Sequence, residues 1–96
     1  MRSWTATGFD EAYERWLDVD KPSDGSRRLF ILWAKRTLLD PFDAAHAAPY
    51  PDLGPGWWVA ALPDGADRMI SVTYRVDDFY RTVSCLLVVF VDDTGD

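Results

Sequence analysis

The arrangement of apolar positions changes period twice along the chain. Residues 2–7 alternate loosely and predict a first strand. Phe9, Ala12, Tyr13, Trp16 and Leu17 then recur at helical spacing and share one face, while Glu11, Glu14, Arg15 and Asp18 fall opposite. Asp10 is the expected cap of this helix. A turn cluster, Asp20 to Gly25, separates it from a second helix, Arg27 to Leu39, capped by Ser26 and stopped at Asp40-Pro41. Leu29 to Ala34 are apolar almost all round, which predicts a helix buried on more than one side. The short connection favours an antiparallel helical hairpin.

Beyond Pro41 the helical period is lost. Residues 41–56 hold four of the six prolines and read as a loop, which either packs through Phe42, Tyr50 and Leu53 or stays mobile. Trp57 to Leu62 form a strand closed by Pro63-Asp64-Gly65. Met69 to Val76 and Thr82 to Val91 are β-rich runs joined by Asp77 to Arg81, an antiparallel hairpin. The expected order is strand, helix, helix, strand, strand, strand. This is an α+β fold, β-α-α-β-β-β, with a helical hairpin on one face of a small, mainly antiparallel twisted sheet.

Period-2 alternation divides Met69 to Val76 between two faces. Ile70, Val72, Tyr74 and Val76 face the helices, and Met69, Ser71, Thr73 and Arg75 face away. Trp57 and Trp58 cannot both point inward, so one is expected in the core and the other under the loop or against a partner.

Composition narrows the possibilities. Ninety-six residues, 48% of them hydrophobic, make a single domain spanning residues 1–96 with enough apolar surface for a core. The lone cysteine, Cys85, falls mid-strand and reads as a buried free thiol. No secretory leader is visible, and no apolar run is long enough to span a bilayer, so a cytoplasmic protein with no membrane role is expected. His46 is the single histidine and lacks ligand partners, so neither a metal site nor a cofactor is expected.

A net charge of −6 argues against gripping nucleic acid with the whole surface. The charge is unevenly spread. Arg27, Arg28, Lys35 and Arg36 stand in a stretch without acids, whereas residues 10–24 are acidic and 92–96 form an acidic tail. The asymmetry reads either as charge pairing between neighbouring helices or as a basic partner-binding face on the second helix.

Several short motifs resemble the RelE/ParE superfamily of type II toxin–antitoxin toxins. They are Leu38-Leu39-Asp40-Pro41 at the second helix end, Gly56-Trp57-Trp58 at the next strand, and Tyr74-Arg75-Val76-Asp77 in the strand that follows. The resemblance spans nearly the whole chain and implies a single domain of that family. It also implies a cognate antitoxin as partner, and a protein target such as gyrase or the ribosome.

The ribonuclease members of that family stabilise a phosphate with cationic side chains. The matching positions here are Val59, Ala61, Ser71 and Phe90, so the family's nuclease chemistry is not expected. Three readings stand: a toxin-like protein acting by binding a protein target, an endoribonuclease with a rearranged site, and a non-toxic relative with a structural or regulatory binding role. The partner-binding candidates are Arg27, Arg28, Lys35, Arg36, Trp57 and Arg75. Arg68, Arg75, Tyr80 and Arg81 are candidates for the rearranged catalytic site.

Overall fold

A computed structural model describes residues 4–42, 47–65 and 67–92. The elements are β1 (Thr5–Thr7), α1 (Phe9–Asp20), α2 (Asp24–Leu39), β2 (Ala47–Pro49), β3 (Trp57–Pro63), β4 (Arg68–Asp77) and β5 (Thr82–Asp92), with a 3₁₀ turn at Pro51–Leu53. The α+β architecture is the expected one, two helices on one face of a mixed sheet. The sheet has five strands in the order β1-β5-β4-β3-β2, antiparallel except for β1, which runs parallel to β5. No described helix is long and apolar enough to cross a membrane. His46, the acids of the tail beyond Asp92 and the first residues of the expected β1 lie outside the described residues.

The core lies between helices and sheet and is rich in aromatic rings. Trp16 of α1 meets Phe90 edge-on at 5.4 Å, and Trp33 of α2 meets Tyr74 edge-on at 5.1 Å. Tyr13 stacks on Phe30 between the helices at 5.6 Å. Ile70, Val72, Tyr74 and Val76 are all buried, as the alternation requires. Such rings bury large areas and prefer these edge-on and offset geometries.

Several local expectations fail for identifiable reasons. The expected loop contains β2, whose Ala48 pairs with Val59 and whose Pro49 pairs with Trp58 at the sheet edge. Proline is tolerated there because an edge strand need not donate to a further neighbour. It is Pro41 that anchors the loop, fully buried, while Phe42, Tyr50 and Leu53 stay 55%, 39% and 45% exposed.

Gly8, not Asp10, precedes α1, with φ at 73°. A Cβ on Gly8 would lie 2.6 Å from the Cys85 carbonyl oxygen, so only glycine fits where β1 turns into the helix against β5. Ser23, not Ser26, caps α2, its hydroxyl accepting from the Ser26 N–H at 3.2 Å. Ser26 is buried instead, and its hydroxyl donates to Asp64 at 2.6 Å, tying the start of α2 to the β3–β4 turn.

The second helix is not buried on several sides. Ser26, Phe30, Trp33 and Thr37 face inward, whereas Ile31, Leu32 and Leu39 are 41%, 53% and 82% exposed. Among the described residues, the ion pairs are Arg27–Asp24, Arg68–Asp64 and Arg81–Asp78; none joins α1 to α2. Charge pairing between the helices is therefore not how the chain uses its asymmetry.

Candidate functional site

The face of the sheet opposite the helices is covered by no described element. Strand alternation places Trp57, Val59 and Ala61 of β3 on it, with Met69, Ser71, Thr73 and Arg75 of β4. Register sets Trp57 across from Arg75, Val59 across from Thr73, and Ala61 across from Ser71. Trp58, the other member of the tandem pair, packs against the core opposite Tyr74.

A β-bulge alters what β5 contributes. Thr73 pairs with Leu87 and Tyr74 with Cys85, so Leu86 is the extra residue. Cys85 and Val88 both reach the core, and the two leucines between them are left 50% and 38% exposed. Val89, and Val91 at 41% exposure, continue the apolar strip along the strand. The charged side chains on this face of β3 to β5 are Arg75 and Asp77, both at the Trp57 end.

Beside Trp57 the sheet runs into a hollow of about 420 Å³ lined by aromatic rings and prolines, among them Phe42, Tyr50, Pro55 and Trp58, with Asp78 at its edge. The hollow is shaped by Gly56, held at φ 82° with its carbonyl accepting from the Val76 N–H at 2.9 Å. Any Cβ there would come within 2.9 Å of the Val76 carbonyl oxygen.

The sequence candidates fall on separate surfaces. Trp57 and Arg75 are brought together on the uncovered face. Arg27, Arg28, Lys35 and Arg36 sit on α2, on the other side of the sheet, with Arg27 ion-paired to Asp24 within its own helix. Arg68 and Arg75 are at opposite ends of β4, about 23 Å apart at the rise of an extended strand. They also point to opposite faces. Arg68 lies over the Phe90 ring at 3.7 Å, on the helix side, and pairs with Asp64.

Tyr80 and Arg81 belong to the β4–β5 turn. Tyr80 is 74% exposed and packs edge-on against Phe79. Arg81 adopts φ 54°, lies over the Trp4 ring at 4.2 Å and pairs with Asp78 at 3.5 Å. Arg68, Arg75, Tyr80 and Arg81 are thus not gathered into one site.

Among the described residues two titratable groups are strongly perturbed, and both are core groups. Burial pushes the Tyr74 hydroxyl up to about 12 from 10.0. Burial also pushes the Cys85 thiol up to about 12 from 9.0, partly offset by a hydrogen bond from the Leu87 backbone. A thiol held protonated in this way is a poor nucleophile. Among the described residues no cluster of His, Cys, Asp or Glu has the makings of a metal site.

No family model matches the chain, and no curated protein or solved structure matches it at a significant level. A weakly charged β-surface carrying exposed leucine and valine and a half-buried methionine beside a tryptophan offers contact area without the cluster of cations that a phosphate requires. The bulge leucines were hidden in the sequence, since Leu86 to Val89 are uniformly apolar and show no break in alternation.

Proposed function

We propose that the chain is a toxin-like binding module of the RelE/ParE type, acting in the cytoplasm by docking a protein target and held in check by a cognate antitoxin. The observation that carries this reading is the uncovered sheet face, uncharged from Ala61 and Met69 to Thr73 and Leu87 with Ser71 and Thr73 as its polar groups, and with Trp57 set across from Arg75 at one end. The rest of the support is architectural: a strand, a helical hairpin and then an antiparallel run of strands, the order that the resemblance implies with β2 added at the edge.

Interfaces draw their affinity from a few buried aromatic and arginine anchors surrounded by apolar contact. Trp57 supplies the ring, Arg75 the flanking cation, and Met69, Leu87 and Val89 the surrounding area. A rearranged nuclease site has less to support it. Its four candidates lie on two faces and at both ends of the sheet, and phosphate chemistry needs its cations convergent.

Co-expression with the product of the neighbouring small open reading frame tests the partner half of the proposal. A stable complex that relieves growth inhibition is expected. Harmless overexpression with no complex would overturn it.

A further inference from the structure

On the outer side of the helical layer, α1 carries the three acids Glu11, Glu14 and Asp18 with the single cation Arg15 beside them, all exposed. The neighbouring ridge of α2 carries Arg28, Leu32, Lys35 and Leu39, also exposed. An acidic stripe thus runs beside a basic and apolar one. The two helices do not neutralise each other, because no described ion pair joins them. Among the described residues nothing covers the exposed leucines of α2.

We propose that this layer is a homodimer interface in which two copies stack hairpin on hairpin. A surface with adjacent stripes of opposite charge is complementary to itself under a two-fold axis. With the axis running along the groove between the helices, α1 of the second copy lies over α2 of the first, and the reverse. Every neighbouring pair in the resulting four-helix bundle is antiparallel.

The axial levels follow from packing already described. Tyr13 stacks on Phe30, and Phe9 meets Trp33 at 6.4 Å, so Glu14 lies level with Leu29 and Glu11 with Leu32. The two-fold keeps those levels. Glu14 of the second copy then stands across from Arg28, and Glu11 falls within a turn of Lys35, close enough for long side chains to pair.

Other occupants fit less well. An anionic bilayer would meet the glutamates of α1 as well as the cations of α2. A uniformly acidic helix would face the same repulsion. A second copy brings cations to the acids and acids to the cations at once.

Charge reversal in two parts tests the proposal. One variant carries Glu11→Lys and Glu14→Lys, the other Arg28→Glu and Lys35→Glu. All four positions are exposed, and circular dichroism checks that both variants fold. Sedimentation equilibrium in low salt, from about 1 µM to 1 mM, should show the unaltered chain dimerising with each variant weakened about tenfold or more. Mixed in equal amounts, the variants should form a heterodimer, because both contacts are then again between opposite charges. An unaltered chain that stays monomeric throughout would overturn the proposal. So would a dimer indifferent to both reversals, or variants that fail to recombine. None of these outcomes bears on toxicity or on the uncovered sheet face.

Discussion

The carboxylate of Asp20, in the last turn of α1, accepts a 3.1 Å hydrogen bond from the backbone N–H of Phe90 on β5. It closes a gap in the sheet. β1 covers only Thr82 to Ser84 of β5, so among the described residues the outer edge of the strand beyond Ser84 has no strand partner. Unpaired edges recruit other chains, and a charged side chain laid across one is a common defence. Asp20→Ala is expected to cost about 1–2 kcal/mol in urea denaturation and to promote aggregation on heating. Unchanged stability and solubility would show that the bond is incidental.

Gly8 is the tightest of the described glycine positions. A methyl group there meets both a positive φ and the Cys85 carbonyl oxygen at 2.6 Å. Gly8→Ala should destabilise the fold by more than about 2 kcal/mol, because backbone cannot yield as a flexible side chain does. Gly25→Ala is the control, since its added Cβ would meet only the Ser23 hydroxyl at 3.8 Å. That change should be near neutral or stabilising.

Stability should fall steeply in alkali. Tyr74 and Cys85 are acids whose charged forms are anions, and burial raises both to about 12 from 10.0 and 9.0. Folded chains therefore keep protons that unfolded chains have lost. The associated stability is complete below pH 9, erodes as pH rises, and is gone once pH passes about 12. The double variant Tyr74→Phe/Cys85→Ala should flatten that loss in a denaturation series from pH 8 upward. At neutral pH Tyr74→Phe alone should be neutral or stabilising by about 1 kcal/mol, as the buried hydroxyl has no hydrogen-bond partner among the described residues.

Much of this was legible in the sequence, and the gaps have physical causes. The alternation of Ile70, Val72, Tyr74 and Val76 was sufficient to assign the faces of β4, because a one-residue slip would expose all four. It also put Arg75 on the uncovered side. β2 was not legible, since Ala47, Ala48 and Pro49 lack β-propensity and pair only through their place beside β3. The bulge at Leu86 left no mark in a uniformly apolar run. Ser23 and Ser26 are equally good caps by type, and only the position of Asp64 decides between them. The exposed ridge of α2 departs from the expected burial for a similar reason. A helix apolar all round does not disclose which side its own chain will cover.

The pairing of Trp57 with Arg75 needed register as well as alternation. The tandem tryptophans identified a candidate, but either ring was free to be the inward one. Trp58 is inward because it stands opposite Tyr74.

The central claim is that the chain acts through its uncovered sheet face and not through a cationic catalytic site. Growth after induced expression tests it directly, comparing the unaltered chain with two variants verified as folded by circular dichroism. Met69→Glu/Val89→Glu places like charges on the face; Arg68→Ala/Tyr80→Ala/Arg81→Ala removes three of the four nuclease candidates and leaves the face intact. The account predicts that the unaltered chain and the triple variant both arrest growth, while the double variant loses the effect. Arrest that survives the double variant but vanishes in the triple one would contradict it.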